Sequence, residues 1–161
     1  MAIETKKAAG LSGSMRQHII GMLDECGLPA VLHIEDSSQL FNTKRELLHT
    51  TSVIKHPVFY QHKNYTGHRP AISQSALLSR YAFECFPAEI ETLKRHILLI
   101  PLGKAAESVC LTLKEHSRLK QAMLLRGFPH PSGANGHRFK QFRENKQSLQ
   151  EQIQHFAQLI Q

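Results

Sequence analysis

Apolar positions recur at helical spacing early in the chain, at Met15, Ile19, Met22, Leu23 and Cys26, and Gly27 follows. Steps of three and four place these side chains on one helix face, and a glycine just past the last of them predicts a C-terminal cap. Residues 1–13, ending in Ser12-Gly13, precede that helix as a flexible lead-in. The short apolar run "PAVLHI" (29–34) predicts a strand, residues 38–48 a second helix, and the β-branched "TTSVI" (50–54) another strand. From Lys55 to Pro87 no period persists, which predicts a long irregular loop of the kind that carries function. A helix ending near Arg95 leads into the strand "HILLIPL" (96–102), the helix "GKAAESVCLTLKEH" (103–116) and the strand "AMLLRGF" (122–128). Phe139, Phe142, Leu149, Ile153, Phe156 and Ile160 close the chain on an alternating three-and-four spacing broken only by Lys146. That is an amphipathic helix, expected to pack on a sheet rather than in a coiled coil.

Strands that are apolar throughout and alternate with helices indicate an α/β fold with a parallel sheet covered on both faces. Ligands of such sheets bind beyond the carboxyl ends of the strands. Two loops, "KHPVFY" and "HPSGAN", would then share one rim.

At 161 residues the chain is expected to form a single domain. Its net charge of +7, with a pI near 9.5, favours a polyanionic partner, nucleic acid first. Because the basic residues are spread rather than blocked, ordinary solubility charge is the competing explanation. Cys26, Cys85 and Cys110 are far apart and form no CxxC pair, so neither a disulfide framework nor a zinc ribbon is supported. No apolar run approaches the ~18 residues of a membrane span, and "MAIETKKAAG" lacks the apolar stretch of a secretory signal. A reducing cytoplasm, with no membrane partner, is the expected setting.

Candidate chemistry narrows to one segment. Gly103-Lys104 fails as a phosphate loop, because Leu98 stands where the pattern needs glycine and Ala105 where it needs Ser or Thr. His56, His62 and His68 are six apart in the long loop, but no regular element fixes that spacing for a metal, and solvated histidines are the default. Ser132 lacks the G-x-S-x-G elbow of a serine nucleophile. In "GFPHPSGANGHR" (127–138), by contrast, Pro129 and Pro131 stiffen the backbone around His130 while Gly133 and Gly136 leave room for a ligand backbone. Such a loop can present an imidazole to a DNA strand, or it can be a rigid surface connection.

"LLRGFPHPSGAN" resembles the last motif of the uracil-DNA glycosylase superfamily, whose members carry His-Pro-Ser at this strand end. Three further segments agree in order: "GLSGSMRQHIIGMLDECGL" is similar to the helix after the family's first motif, "TTSVIKHPVFYQHKNYTGHRP" to its strand-to-loop segment, and "HILLIPLGKAAESV" to its strand–Leu-Gly–helix segment. The resemblance covers residue 10 to about residue 140. It implies a three-layer α/β/α domain with a central, mainly parallel sheet, base flipping into a pocket at the strand ends, and hydrolysis of the base–sugar bond. It makes His130 the catalytic donor to a base oxygen. Pro131 and Ser132 would press the DNA backbone, with Gly133, Ala134, Asn135, His137 and Arg138 filling the gap in the stack or contacting DNA. Leu11 and Ser12 match a base-stacking aromatic and its neighbour, and Ser52 matches a strand-end asparagine that reads the base edge.

Several positions depart from the family pattern. Leu11 is not aromatic, Ser52 has no amide, and Ala134 is small for a wedge, which would pass to Asn135 or His137. His56 stands where iron–sulfur members carry cysteine, so no cluster and no other cofactor is expected. Residues 1–10 hold no counterpart of the first motif, with its strand and water-activating group. The expectation is therefore a uracil-DNA-glycosylase-like protein that binds single- or double-stranded DNA but is impaired or inactive alone. Its sheet would be completed by "AVLHI", by a further N-terminal segment or by another chain; only if the chain released uracil against this expectation would Asp24, Glu25 and Asp36 become the carboxylates to mutate. A non-catalytic nucleic-acid-binding module and an unrelated α/β hydrolase are the alternatives. Lys63, Arg69, Lys104, Arg126 and Arg138 are the cations expected near the rim.

Overall fold

Helices and small sheets alternate along the chain in a computed structural model that describes residues 11–65, 67–93 and 96–161. The expected lead-in and the first-motif region thus lie mainly outside the described residues, as does the expected helix end at Arg95. The chain divides into two units, residues 1–50 with 125–161, and residues 51–124.

In the first unit, α1 (Gly13–Glu25) buries Ile19, Met22 and Leu23, and Gly27 sits at φ 81°, as the helical periodicity requires. The expected strand at 29–34 is instead a short helix, α2 (Leu28–Leu32). Its sequence explains the reversal, because Pro29 falls in the first helical turn, where a missing N–H is harmless and φ is already helical. "AVLHI" therefore does not complete a sheet. The helix expected at 38–48 is two 3-10 turns, Ser37–Phe41 and Arg45–Leu47. The first is capped by Asp36, whose carboxylate accepts the Ser38 N–H at 2.8 Å.

The closing helix (Arg138–Ile160) buries Phe142, Leu149, Ile153 and Phe156, while Phe139 and Ile160 are exposed. Within the unit it packs on helices rather than on a sheet. Lys146, the break in its apolar stripe, ion-pairs with Glu25 at 2.7 Å, and Gln150 donates to the Glu25 carbonyl at 2.9 Å. Gln152 accepts from the Arg126 N–H at 2.8 Å and donates to the Arg126 C=O at 3.1 Å. Asn145 donates to the Gly127 C=O at 2.9 Å. Side-chain amides thus take the backbone groups that a continuing strand would have offered to a neighbour.

In the second unit, strands β1 (Phe59–Tyr60) and β2 (Lys63–Asn64) form an antiparallel hairpin, with Phe59 opposite Asn64 and Tyr60 opposite Lys63. The supposed irregular loop therefore contains a hairpin, and its later part is helical. Helix α3 (Ala76–Arg80) starts at Ser75, whose hydroxyl accepts the Leu78 N–H at 3.4 Å, and runs through a π-helical turn (Tyr81–Cys85) into α4 (Phe86–Glu91). Pro87 accounts for the π turn. It has no N–H to give one turn back, and the Phe86 N–H reaches the Tyr81 carbonyl instead.

Strands β3 (Ile97–Leu99) and β4 (Ala122–Leu124) pair in parallel, Ile97 opposite Ala122, and α5 (Lys104–Glu115) connects them; the closing helix is α6. Parallel pairing and the connecting helix match the pattern. Among the described residues, however, the parallel sheet has two short strands rather than the expected central sheet. "TTSVI" forms no strand. Val53 and Ile54 pack on a core built from Ala82, Phe86, Ile90, Cys110 and Leu113, while Thr51 donates to Glu89 at 2.9 Å and Lys55 ion-pairs with Glu89 at 2.7 Å. Side-chain ties to α4 thus hold this segment without a ladder, despite its β-branched residues.

Candidate nucleic-acid interface

The His-Pro-Ser loop of the first unit is built on a glycine that the backbone requires. Gly127 has φ 86°, and a Cβ there would lie 3.3 Å from Asn145 Nδ2. Phe128 is buried and meets Phe142 edge-on, with ring centroids 6.5 Å apart. Pro129 and Pro131 are buried, so His130 is raised on a stiff stem and is itself exposed.

Two hydrogen bonds set the imidazole. The backbone N–H of Ser132 donates to His130 Nδ1 at 3.3 Å, which leaves the neutral ring's hydrogen on Nε2, pointing away from the loop's own backbone. Asn135 Nδ2 donates to the His130 carbonyl at 3.0 Å and to Gln141 Oε1 at 2.9 Å. Asn135 also closes the turn through its N–H to the Ser132 carbonyl at 3.0 Å. From the opposite side, His18 on α1 donates Nδ1–H to the Pro131 carbonyl at 2.9 Å, its ring edge-on to Phe139 at 5.1 Å. No local signal in the sequence marks His18, which is 113 residues from Pro131.

The other expected residues fall as follows. Ser132 is half-buried, Gly133 and Ala134 are exposed, and nothing lies within 4 Å of a Cβ built on Gly133. His137 is exposed and precedes α6, its carbonyl accepting the Gln141 N–H at 2.9 Å. Arg138 donates to the Asn135 carbonyl at 3.1 Å and lies over the Phe139 ring, 4.5 Å from its centroid. Residues 126–146 hold five Lys and Arg against the single acid Glu144, but Lys146 is paired with Glu25 and Lys140 with Glu144, so the positive charge of the loop and the start of α6 rests on Arg126, Arg138 and Arg143. The N-terminus of that helix adds a partial positive charge that favours an anion, although the Arg138 N–H is already taken by the Asn135 carbonyl at 3.2 Å. Leu11 has φ 53° and offers its carbonyl to Arg16 Nε at 2.6 Å, while Ser12 is exposed and makes no side-chain cap on α1. Ser52 belongs to the second unit, exposed in the irregular segment and not at a strand end.

The three acids are already engaged. Asp24 accepts the Ser37 N–H at 2.7 Å, and Glu25 pairs with Lys146. Asp36 is held below the usual carboxylate range by its hydrogen bonds from Ser38. Burial pushes the thiols of Cys26 and Cys110 up to about 11, away from nucleophilic use. Among the described residues no group of three His, Cys, Asp or Glu gathers to hold a metal ion, and no helix is long and apolar enough to cross a membrane.

No family model matches the chain, and no solved structure matches it. It is 58% identical over 160 residues, 99% of its own length, to the uncharacterized protein YoxB of Bacillus subtilis (strain 168). The chain spans 62% of the length of that relative.

Proposed function

We propose that this protein binds DNA as members of the uracil-DNA glycosylase superfamily do, with residues 129–138 laid along a strand and His130 facing a base. The observation that carries this reading is the Ser132 N–H to His130 Nδ1 bond, because it reserves Nε2–H as a donor for a base carbonyl. A donor fixed before the ligand arrives costs little to align in the complex. Arg126, Arg138 and Arg143 and the N-terminus of α6 would supply phosphate contacts beside it. The reading also brings with it the superfamily's three-layer α/β/α sheet, to which β3 and β4 would contribute a parallel pair.

The engaged state of Asp24, Glu25 and Asp36 favours the non-catalytic form of the proposal, a DNA-binding module, over a competent hydrolase. The test is binding of the chain to a uracil-containing duplex and to the matching normal duplex, measured by fluorescence anisotropy across a salt series. Neutralising about four phosphates gives a log K against log salt slope of roughly −3 to −4. His130→Ala should remove any preference for the uracil duplex and leave that slope unchanged. Uracil release is expected to be absent from the chain as given. Failure to bind in low salt, or binding indifferent to salt, refutes the reading.

A further inference from the structure

The second unit carries most of the charge: residues 51–124 hold ten Lys and Arg against five Asp and Glu, a net +5 of the chain's +7. The same unit displays the β1–β2 hairpin, and Phe59 on it is 66% exposed, more than any other large hydrophobic side chain among the described residues. Tyr60, next in sequence, is 46% exposed. A single exposed ring is ordinary on a protein surface; what marks Phe59 is its place on a hairpin above a recess, in a unit of positive charge.

The hairpin is also strained. Its turn residues Gln61 and His62 both have positive φ, 49° and 62°, a conformation that two-residue hairpin loops require and that glycine or asparagine adopts more readily. The ladder nevertheless continues below them, with the Tyr65 N–H donating to the Val58 carbonyl at 2.7 Å. In the register of the pair, Phe59 and Asn64 share one face and Tyr60 and Lys63 the other. Lys63 forms no ion pair among the described residues, whereas Lys55 nearby in sequence is taken by Glu89.

At the base of the hairpin lies a recess of about 290 Å3 lined by Ile54, His56, Pro57, Val58, Asn64 and Tyr65. It lies at the small end of ligand pockets, which suits one ring system rather than a cofactor. Ile54, Pro57 and Val58 give it apolar wall and His56, Asn64 and Tyr65 polar groups, and Tyr65 is fixed by donating to the Pro70 carbonyl at 2.9 Å. The His56 ring leans on Tyr81, centroids 5.5 Å apart. The Asn64 amide makes no side-chain hydrogen bond among the described residues, so it has a donor and an acceptor to offer a polar planar ring.

We propose that this hairpin is a stacking site for single-stranded nucleic acid: one unpaired base lies on Phe59, a neighbouring base enters the recess against Asn64 on the same face, and the backbone passes the hairpin edge to meet Lys63 on the other face. An exposed aromatic face in a unit of positive charge is the recognition chemistry of single strands, and it accepts every base because each has a π-face. The proposal rests on the nucleic-acid reading above but places base contact on a different unit and on residues other than His130.

The experiment uses the full chain with two fluorescent fifteen-nucleotide strands of equal charge, one of thymidines and one of abasic residues. The chain should bind the thymidine strand more tightly, and Phe59→Ala should remove on the order of 5- to 100-fold of that affinity while leaving the abasic strand unaffected. Because Phe59 is exposed, Phe59→Ala should unfold like the parent protein, and a matching urea curve confirms it. Phe59→Trp should restore base preference, whereas Phe59→Leu, apolar but without a π-face, should not. Asn64→Ala should weaken thymidine binding only. Equal affinity for the two strands, or base preference that survives Phe59→Ala, overturns the proposal while duplex binding stands. Binding to anionic vesicles that Phe59→Ala and Phe59→Leu affect differently, with no base preference, overturns it in favour of a membrane surface. Absence of binding to duplex and both strands removes the nucleic-acid reading itself.

Discussion

Replacing Gly127 by alanine tests the stem that carries His130. At φ 86° an alanine sits in the left-handed region, which costs about 1–2 kcal/mol. Its Cβ would stand 3.3 Å from Asn145 Nδ2 and 3.5 Å from Cγ, so the amide must retreat from the Gly127 carbonyl it now donates to at 2.9 Å. Weakening that hydrogen bond adds about 0.5–1.5 kcal/mol. The lower entropy of an alanine in the unfolded chain returns about 0.4–1 kcal/mol. The net expectation is a loss of roughly 2 kcal/mol, seen as a urea midpoint lowered by about 1 M at unchanged slope. Gly133→Ala is the matched control, because it has no positive φ and nothing within 4 Å of the added carbon, and it should shift stability by less than about 0.5 kcal/mol. Asn145→Ala should make the Gly127→Ala cost smaller, since the two effects share one contact. If Gly127→Ala unfolds at the same urea concentration as Gly133→Ala, the account of this stem is wrong.

Three further outcomes follow from named contacts. His18→Phe keeps a ring against Phe139 but loses the bond to the Pro131 carbonyl, so it should cost about 1 kcal/mol and speed amide exchange at Ser132; unchanged exchange would show that His18 does not brace the loop. The bidentate Arg118 guanidinium holds the Glu91 carboxyl below the usual glutamate range, chiefly by hydrogen bonding. A depressed pKa stabilises the fold above the unfolded value and loses that effect as pH falls through the folded one. Glu91→Gln should therefore destabilise the protein near neutral pH and converge with the parent in parallel melts as acid protonates the folded carboxyl. Cys26 and Cys110 are buried with their thiols pushed up to about 11, while Cys85 is half-buried, so alkylation of the native protein should mark Cys85 first by mass spectrometry; early labelling at Cys26 or Cys110 would contradict their burial.

The sequence by itself determined the elements whose pattern repeats over several turns. Helices α1, α5 and α6 appear near their expected places because Ile19, Met22 and Leu23, or Leu149, Ile153 and Phe156, mark one face repeatedly. It also determined the positive charge and the stiff loop that exposes an imidazole between two prolines, while the burial of those prolines came with the fold. Short apolar runs were decided otherwise. "PAVLHI" carries too few residues to separate period two from period three and a half, and Pro29 in a first turn tips it to helix. "TTSVI" has strand-like residues, but a strand also needs a neighbour, and Glu89 holds Thr51 and Lys55 instead. "AMLLRGF" stops pairing at Leu124 because Gln152 and Asn145, distant in sequence, take the backbone groups of Arg126 and Gly127. The same holds at the candidate site, where the sequence shows His130 but only the folded backbone directs the Ser132 N–H to Nδ1 and places His18 behind Pro131. Local periodicity is a property of neighbouring residues, whereas the partner of a backbone donor or an imidazole nitrogen depends on which distant segments folding brings within 3 Å or so.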